Sequence, residues 1–163
     1  LYLWQITGKK VLFIDADLRK SVLMGRTEVE GEEIKGLSHL LSHQETIENV
    51  ICATNVPRFH IIYAGIVPPN PAELLGGKYF KRFLSAIRKV YDYVIIDTPS
   101  VGQVSDVLSL NQIAQAVLFV IRYDDVALPM IQNAIDKLDK SGIRILGCVV
   151  NADPENRGKI FRR

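Results

Sequence analysis

Residues 11–17 have the sequence VLFIDAD, in which four apolar residues lead into Asp15 and Asp17. Residues 94–99, VIIDTP, show the same pattern, with an apolar run ending at Asp97. A continuous apolar run that ends in an acidic residue is typical of a parallel strand that is buried on both faces and surfaces at a site. Because open parallel sheets bind ligands outside the carboxyl ends of their strands, we expect the three aspartates to converge on one crevice.

The rest of the chain alternates between strand-like and helix-like segments. The patterns predict strands over residues 10–15, 59–64, 91–97, 115–122 and 143–150. They predict helices over residues 36–42, 71–89, 103–111 and 129–140, and a small turn or helix over residues 46–51. This alternation predicts an α/β fold in three layers, a parallel sheet with helices on both faces, in one domain spanning residues 1–163. We expect the loop over residues 18–36 to border the site.

The composition, 48% hydrophobic and 23% charged, is that of a soluble globular protein. A net charge of +2 creates no strong field, so we expect no nucleic-acid partner. The longest apolar run, residues 116–121, is too short to span a membrane, and no signal-peptide pattern is visible, so we expect a cytoplasmic protein. Cys52 and Cys148 lack metal-ligand spacing, and we expect two buried free thiols.

Three motifs resemble those of a known family, the bacterial tyrosine kinases of capsule and exopolysaccharide synthesis. IDADLR, residues 14–19, resembles their second nucleotide-binding motif, Walker A′, and YDYVIIDTPS, residues 91–100, resembles their Walker B motif. NPAELL, residues 70–75, matches a further signature. IDAD alone would indicate only the wider MinD/ParA group of P-loop ATPases, and the addition of Arg19 and NPAELL narrows the resemblance, which extends from about Gly8 to Asn151.

The resemblance implies catalytic and metal-binding roles for the aspartates. Asp15 would polarise a Mg²⁺-bound water or accept the proton of the attacking hydroxyl, and Asp17 would help to hold the metal. Asp97 would reach Mg²⁺ directly or through water. On the residues alone, Asp15 and Asp17 could instead cap a helix or pair with Arg19, but Asp97 at the end of a second buried strand favours the site.

Arg19 and Asn151 are the candidate nucleotide-binding residues. Arg19 would stabilise charge on a phosphate or anchor the loop after the strand, and a solvated arginine is the alternative. In related ATPases an asparagine at the position of Asn151 often hydrogen-bonds adenine, because an amide offers both a donor and an acceptor. The alternative is an ordinary turn residue in residues 151–154. The sequence departs from the family at Ser21 and Ser100, where proline is common.

The function implied by the resemblance is that of the catalytic domain of a protein-tyrosine autokinase, which uses ATP and Mg²⁺ and regulates capsule or exopolysaccharide synthesis and export. Its partners would be a membrane activator or chain-length-determinant protein, fused or separate, and further copies of the chain in a ring. The tyrosine-bearing tail of a neighbouring subunit would be the acceptor. We expect such a kinase to work at the inner face of the membrane, held there by its partner or a fused segment.

The family's P-loop, G-x-x-x-x-G-K-[ST], does not occur in the 163 residues. We expect a fragment that starts just after that loop and that alone binds nucleotide poorly and transfers no phosphate, because the loop supplies much of the positioning and charge stabilisation. The alternative is a natural protein that lost the loop. Two other functions stay open, a MinD/ParA-type ATPase switch and a non-catalytic relative.

Overall fold

The computed structural model describes residues 7–23, 25, 34–100, 114–123 and 125–151. The chain divides into two compact units, Leu1–Ile113 and Ala114–Arg163. The elements of the first unit are, in order, β1 (Val11–Asp15), α1 (Leu37–Leu41), α2 (Ile47–Val50), β2 (Cys52–Ala53), β3 (Phe59–Ile62), α3 (Pro71–Gly76), α4 (Lys78–Ile87) and β4 (Tyr93–Asp97). The second unit holds β5 (Val117–Arg122), α5 (Leu128–Lys140) and β6 (Ile145–Asn151). The single domain over residues 1–163 stays a prediction.

The sheet of the first unit has the strand order β2-β3-β1-β4. Both β3 and β4 run parallel to β1, as predicted, whereas β2 is antiparallel to β3. The inner strand β1 is the most deeply buried: Val11 is 1% exposed, and Leu12 and Ile14 are fully buried. The predicted α/β fold is confirmed. The strand β2 was not predicted, because a strand of two residues is too short to show a hydrophobic pattern.

The prediction that the β4 residues 94–96 are buried on both faces is wrong. Ile95 is 42% exposed and Tyr93 is 41% exposed. Among the described strands, β4 pairs with β1 alone and therefore forms one end of this sheet. An end strand is covered less completely than an inner one, which explains why two similar apolar runs differ in burial.

The helix predicted over residues 71–89 is broken into α3 and α4 at Gly77, whose backbone is extended (φ −68°, ψ 154°). A Cβ at Gly77 would lie 3.2 Å from the carbonyl oxygens of Glu73 and Leu74, so the sharp change of direction favours a glycine. Pro71 lies in the first turn of α3, where it costs no hydrogen bond. At helical spacing α4 buries Phe80, Phe83, Leu84 and Ile87, which join β1 and β3 in one core.

In the second unit, β5 and β6 form a parallel two-stranded sheet, and α5 buries Ala134 and Leu138. These three elements confirm the predictions over residues 115–122, 129–140 and 143–150. The helix predicted over residues 103–111 lies outside the described residues. Cys148 is exposed and Cys52 is partly buried, so the prediction of two buried thiols is wrong for Cys148, which belongs to a strand whose apolar residues are largely exposed. Within the described residues, no helix is both long and apolar enough to cross a bilayer.

Candidate active site

The sheet brings Asp15 and Asp97 together. They are register partners at the carboxyl ends of β1 and β4, and the N–H of Ala16 donates to the carbonyl oxygen of Asp97 at 2.8 Å. Adjacent strands lie about 4.8 Å apart, and register partners on parallel strands direct their side chains to the same face. The predicted convergence of these two carboxylates is therefore a property of the strand register.

The chain after β1 folds back onto the carboxylates. Asp15 is 1% exposed, and its Oδ1 accepts the N–H of Asp17 at 3.1 Å, while its Oδ2 accepts the hydroxyl of Ser21. Oδ1 of Asp17 accepts the N–H groups of Arg19 at 3.2 Å and Lys20 at 3.0 Å. Aspartates favour such turns because their short side chains reach the backbone two residues further on. The loop is thus tied to the two acids that the sequence placed at the site.

All three predicted aspartates line one cavity of about 160 Å³, together with Lys20, Ser21, Val22 and Leu23. Pockets that enclose a whole small-molecule ligand have volumes of roughly 300–1,000 Å³. This cavity therefore suits one end of a nucleotide, such as a phosphoryl group with a cation, and the ammonium group of a lysine at its wall suits an anion.

The site is rich in negative charge, and the pKa values of its acids respond to it. Burial raises the pKa of Asp15, although the hydrogen bonds from Ser21 and from the Asp17 N–H act in the opposite direction. Burial, followed by the negative charges of Asp15 and Asp17, raises the pKa of Asp97. The contribution of Asp15 and Asp17 to the raised pKa of Asp97 reflects repulsion between ionised acids, and a cation between them would relieve that repulsion.

The donor set fits Mg²⁺ that shares its coordination with a substrate. Among residues 7–23, 25, 34–100, 114–123 and 125–151, no group of three or more His, Cys, Asp or Glu residues is placed so that it could hold a metal ion. Mg²⁺ does not need such a group, because it is commonly held by one or two carboxylates and completes its octahedron with water and substrate phosphates. Asp17 and Asp97 both line the cavity, and their role as metal ligands stays a prediction.

The other predicted residues lie outside the cavity wall or in the second unit. Arg19 is exposed, and its backbone N–H is tied to Asp17. Asn151 ends β6 in the second unit, and its carbonyl oxygen accepts the N–H of Tyr123 at 2.8 Å. Their nucleotide-binding roles stay predictions. In NPAELL, the side-chain amide of Asn70 donates to Glu73 at 2.7 Å, which closes the first turn of α3.

Sequence reasoning predicted that the loop over residues 18–36 borders the site, but it gave Lys20 and Ser21 no role there. Both line the cavity, and the contact between Ser21 and Asp15 joins residues six positions apart through an irregular loop. Such a contact follows no helical or strand period, so no pattern could predict it. The one signal in the sequence was that Ser21 occupies a position where the family commonly has proline.

Comparison with known proteins finds relatives over most of the chain. The AAA domain family matches residues 2–146. The tyrosine-protein kinase CpsD of Streptococcus agalactiae is 37% identical over 149 residues, which cover 91% of this chain and 64% of that protein. A Klebsiella pneumoniae protein described as a putative tyrosine-protein kinase in the cps region is 36% identical over 145 residues, covering 89% of this chain and 20% of that protein.

The solved VpsO kinase domain is 32% identical to this chain and superposes on it with a TM-score of 0.83. The match covers 92% of this chain and 72% of the VpsO chain. The chain belongs to the bacterial tyrosine kinases. The family inferred from IDADLR, NPAELL and the Walker B-like strand is thereby confirmed. This bacterial tyrosine kinase sequence spans just under two thirds of CpsD and about a fifth of the much longer Klebsiella relative.

The fold also resembles that of a member of the wider MinD/ParA group. The septum site-determining protein MinD of Pyrococcus horikoshii, solved with Mg-ADP, superposes with a TM-score of 0.68 at 22% identity, covering 91% of this chain and 60% of its own. Identity this low shows a shared fold alone. It confirms a P-loop NTPase-like α/β fold for this chain.

Proposed function

We propose that this chain is the catalytic domain of a protein-tyrosine kinase that transfers the γ-phosphate of ATP to tyrosine. The observation that carries the proposal is the register that places Asp15 beside Asp97 at the carboxyl ends of neighbouring strands, with Asp17 on the same cavity. Phosphoryl transfer needs carboxylates in this place, because the reaction depends on positioning and on charge stabilisation around the phosphate.

The cavity residues divide into a base and metal ligands. Asp15 would accept the proton of the tyrosine hydroxyl, and its raised pKa makes the carboxylate a better base than an ordinary aspartate. Asp17 and Asp97 would hold Mg²⁺, which when bound neutralises phosphate charge. Lys20 would contact phosphate oxygens from the cavity wall.

Two residues outside the cavity would complete nucleotide binding. Arg19 follows the Walker A′-like aspartates, and its guanidinium would stabilise negative charge on the phosphates. Asn151 would hydrogen-bond the adenine edge through its side-chain amide. Both roles rest on the family resemblance of these positions.

We further propose that the kinase acts in capsule or exopolysaccharide synthesis and export. The Klebsiella relative is described as lying in the cps region, which supports this assignment. The acceptor would be a tyrosine-bearing tail of a neighbouring subunit in a ring. A membrane activator or chain-length-determinant protein, fused or separate, would hold the cytoplasmic kinase at the inner face of the membrane. The greater length of the Klebsiella relative supports fusion in some members.

The test is phosphotransfer by the full-length protein carrying Asp15→Asn or Asp97→Asn. We expect Asp15→Asn to lower the rate of tyrosine phosphorylation by a factor of about 10²–10⁴, the usual contribution of a general base. Asp92→Asn is the matched control. The Asp92 carboxylate accepts the backbone N–H of Lys10 at 2.8 Å, so it lies at the start of β1, whereas Asp15 lies at the end of that strand. Full activity in Asp15→Asn, with folding verified by circular dichroism, would refute the assignment.

Calorimetry with ATP and Mg²⁺ on the full-length protein distinguishes the non-catalytic alternative. Micromolar binding excludes a relative that has lost ATP. A MinD/ParA-type switch would instead bind ATP and hydrolyse it without forming phosphotyrosine.

A further inference from the structure

The hydroxyl of Ser21 lies on the carboxylate that we propose as the base. It donates to Oδ2 of Asp15, while Oδ1 of the same carboxylate accepts the N–H of Asp17. Asp15 is buried, whereas Ser21 is exposed and lines the cavity beside Lys20. An incoming acceptor would therefore find a hydroxyl of the chain itself already bound to the base.

This contact meets one requirement for an activated nucleophile, the proximity of a hydroxyl to a base. A serine hydroxyl is a weak nucleophile until an adjacent base takes its proton, and the pair must be within hydrogen-bonding distance. Ser85 offers a contrast within the same unit, because its hydroxyl donates to the carbonyl oxygen of Lys81 at 2.9 Å on α4. A peptide carbonyl cannot act as a general base, so this second hydroxyl is not activated.

We propose that Ser21 is a phosphoryl acceptor, modified in cis by the active site that it lines. The inference rests on the proposed kinase function. In the step, Oγ of Ser21 forms a bond to the γ-phosphorus of ATP, and the bond from that phosphorus to the bridging oxygen of the β-phosphate breaks. ADP leaves with the electron pair, and the hydroxyl proton passes to Asp15.

The modification would limit the activity of the enzyme that makes it. Phosphoserine carries a charge of about −1.5 to −2 at neutral pH. At position 21 this charge would stand in the cavity lined by Asp15, Asp17 and Asp97, where it would occupy the space of a substrate phosphoryl group. We expect the phosphorylated protein to bind ATP more weakly than the unmodified protein.

The test is to incubate the full-length protein with ATP and Mg²⁺ and to locate phosphate by fragmentation mass spectrometry. We expect phosphoserine at position 21 in the wild type, phosphothreonine in Ser21→Thr, and loss of the signal in Ser21→Ala and Asp97→Asn. The matched control Ser85→Ala should keep the phosphate on Ser21. Phosphotyrosine without phosphate at position 21 would overturn this inference and leave the kinase function standing. Absence of all phosphate would overturn both.

A mixing experiment tests whether the transfer occurs in cis. A size-tagged Asp97→Asn protein, which retains both Ser21 and Asp15, is incubated with untagged wild type. We expect its residue 21 to stay unmodified while that of the wild type is phosphorylated. Phosphate on Ser21 of the tagged chain would show transfer between molecules and overturn the cis assignment.

Discussion

Replacing Asp97 with asparagine should stabilise the folded protein while removing a proposed metal ligand. Asp97 stands in register with Asp15 on the neighbouring strand, and both acids have raised pKa values because burial and, for Asp97, the neighbouring carboxylates disfavour ionisation. An amide of almost the same shape removes one of the repelling charges. We therefore expect the carboxylates of the wild-type site to lower the stability of the folded protein, as functional sites often do.

The magnitude follows from the strand spacing. Two unit charges separated by the strand spacing of about 4.8 Å repel by roughly 3.5 kcal/mol at an effective dielectric constant of about 20. The carboxyl group of Asp97 is only partly desolvated and the residue as a whole is exposed, so water screens much of this repulsion. We therefore expect a gain of about 1 kcal/mol in the free energy of unfolding at neutral pH.

The pH dependence has a definite sign. A carboxyl whose pKa is higher in the folded state contributes stability below its unfolded pKa and loses that contribution as the pH rises through the folded pKa. The ordinary pKa of this aspartate is 3.8. The advantage of Asp97→Asn should therefore be absent at about pH 4 and below and complete at neutral pH.

Urea unfolding in metal-free buffer measures the effect, and a gain of about 1 kcal/mol shifts the midpoint by roughly 0.5 M. Added Mg²⁺ should narrow the difference, because it stabilises the wild type by binding. Asp92→Asn is the control: Asp92 lies 3.8 Å from the ammonium of Lys9, so its neutralisation should leave stability unchanged or lower it. A less stable Asp97→Asn protein at neutral pH would refute the reasoning.

Three further substitutions test the packing that positions the site. Gly36→Ala should cost about 3 kcal/mol in urea unfolding, because a Cβ there would lie 2.4 Å from the backbone nitrogen of Gly65. Phe80→Ala should cost about 3–5 kcal/mol, measured in the same way, because the side chain is fully buried in the core. Tyr91→Phe should cost about 1 kcal/mol through loss of the 3.1 Å hydrogen bond to Nδ1 of His60, measured as a lower unfolding midpoint.

Each of these substitutions has a control on the same chain. Gly25→Ala should be neutral, since no atom of the residues that the structure describes lies within 4 Å of the added Cβ. Phe80→Leu should cost less than Phe80→Ala because it leaves a smaller cavity. Tyr93→Phe removes a hydroxyl from an exposed side chain and should change little. Wild-type stability in Gly36→Ala, or equal losses in Tyr91→Phe and Tyr93→Phe, would contradict the packing described here.

The strands and the meeting of the carboxylates were predictable because each rests on a strong local signal. VLFI before Asp15 is too apolar to leave either face in water, so it predicts an inner strand. The parallel arrangement then places the carboxyl ends of such strands at one edge of the sheet. The sequence alone therefore predicted that Asp15 and Asp97 meet there.

What escaped prediction depends on contacts between segments. Equal hydrophobicity in the β1 and β4 runs gave no sign that Ile95 would be exposed, because burial depends on how many neighbours a strand has. The break at Gly77 lay within a continuous helical pattern, and a single glycine is tolerated in many helices. Ser21 reaches Asp15 through loop geometry, which hydrophobic periodicity does not encode.

Asp15 and Asp97 are register partners on neighbouring strands, so the proposed phosphoryl transfer depends on the hydrogen-bonded pairing of β1 with β4. A slip of one residue between β1 and β4 would bring Ile96 opposite Asp15 and direct Asp97 to the opposite face. The spacing of the two acids is therefore not adjustable by loop motion, and heat should abolish it only when the ladder itself melts. Changes in the surrounding loop can still shift the pKa values of the two acids, as Ser21 and Asp17 do, but they leave the spacing of the two strands unchanged.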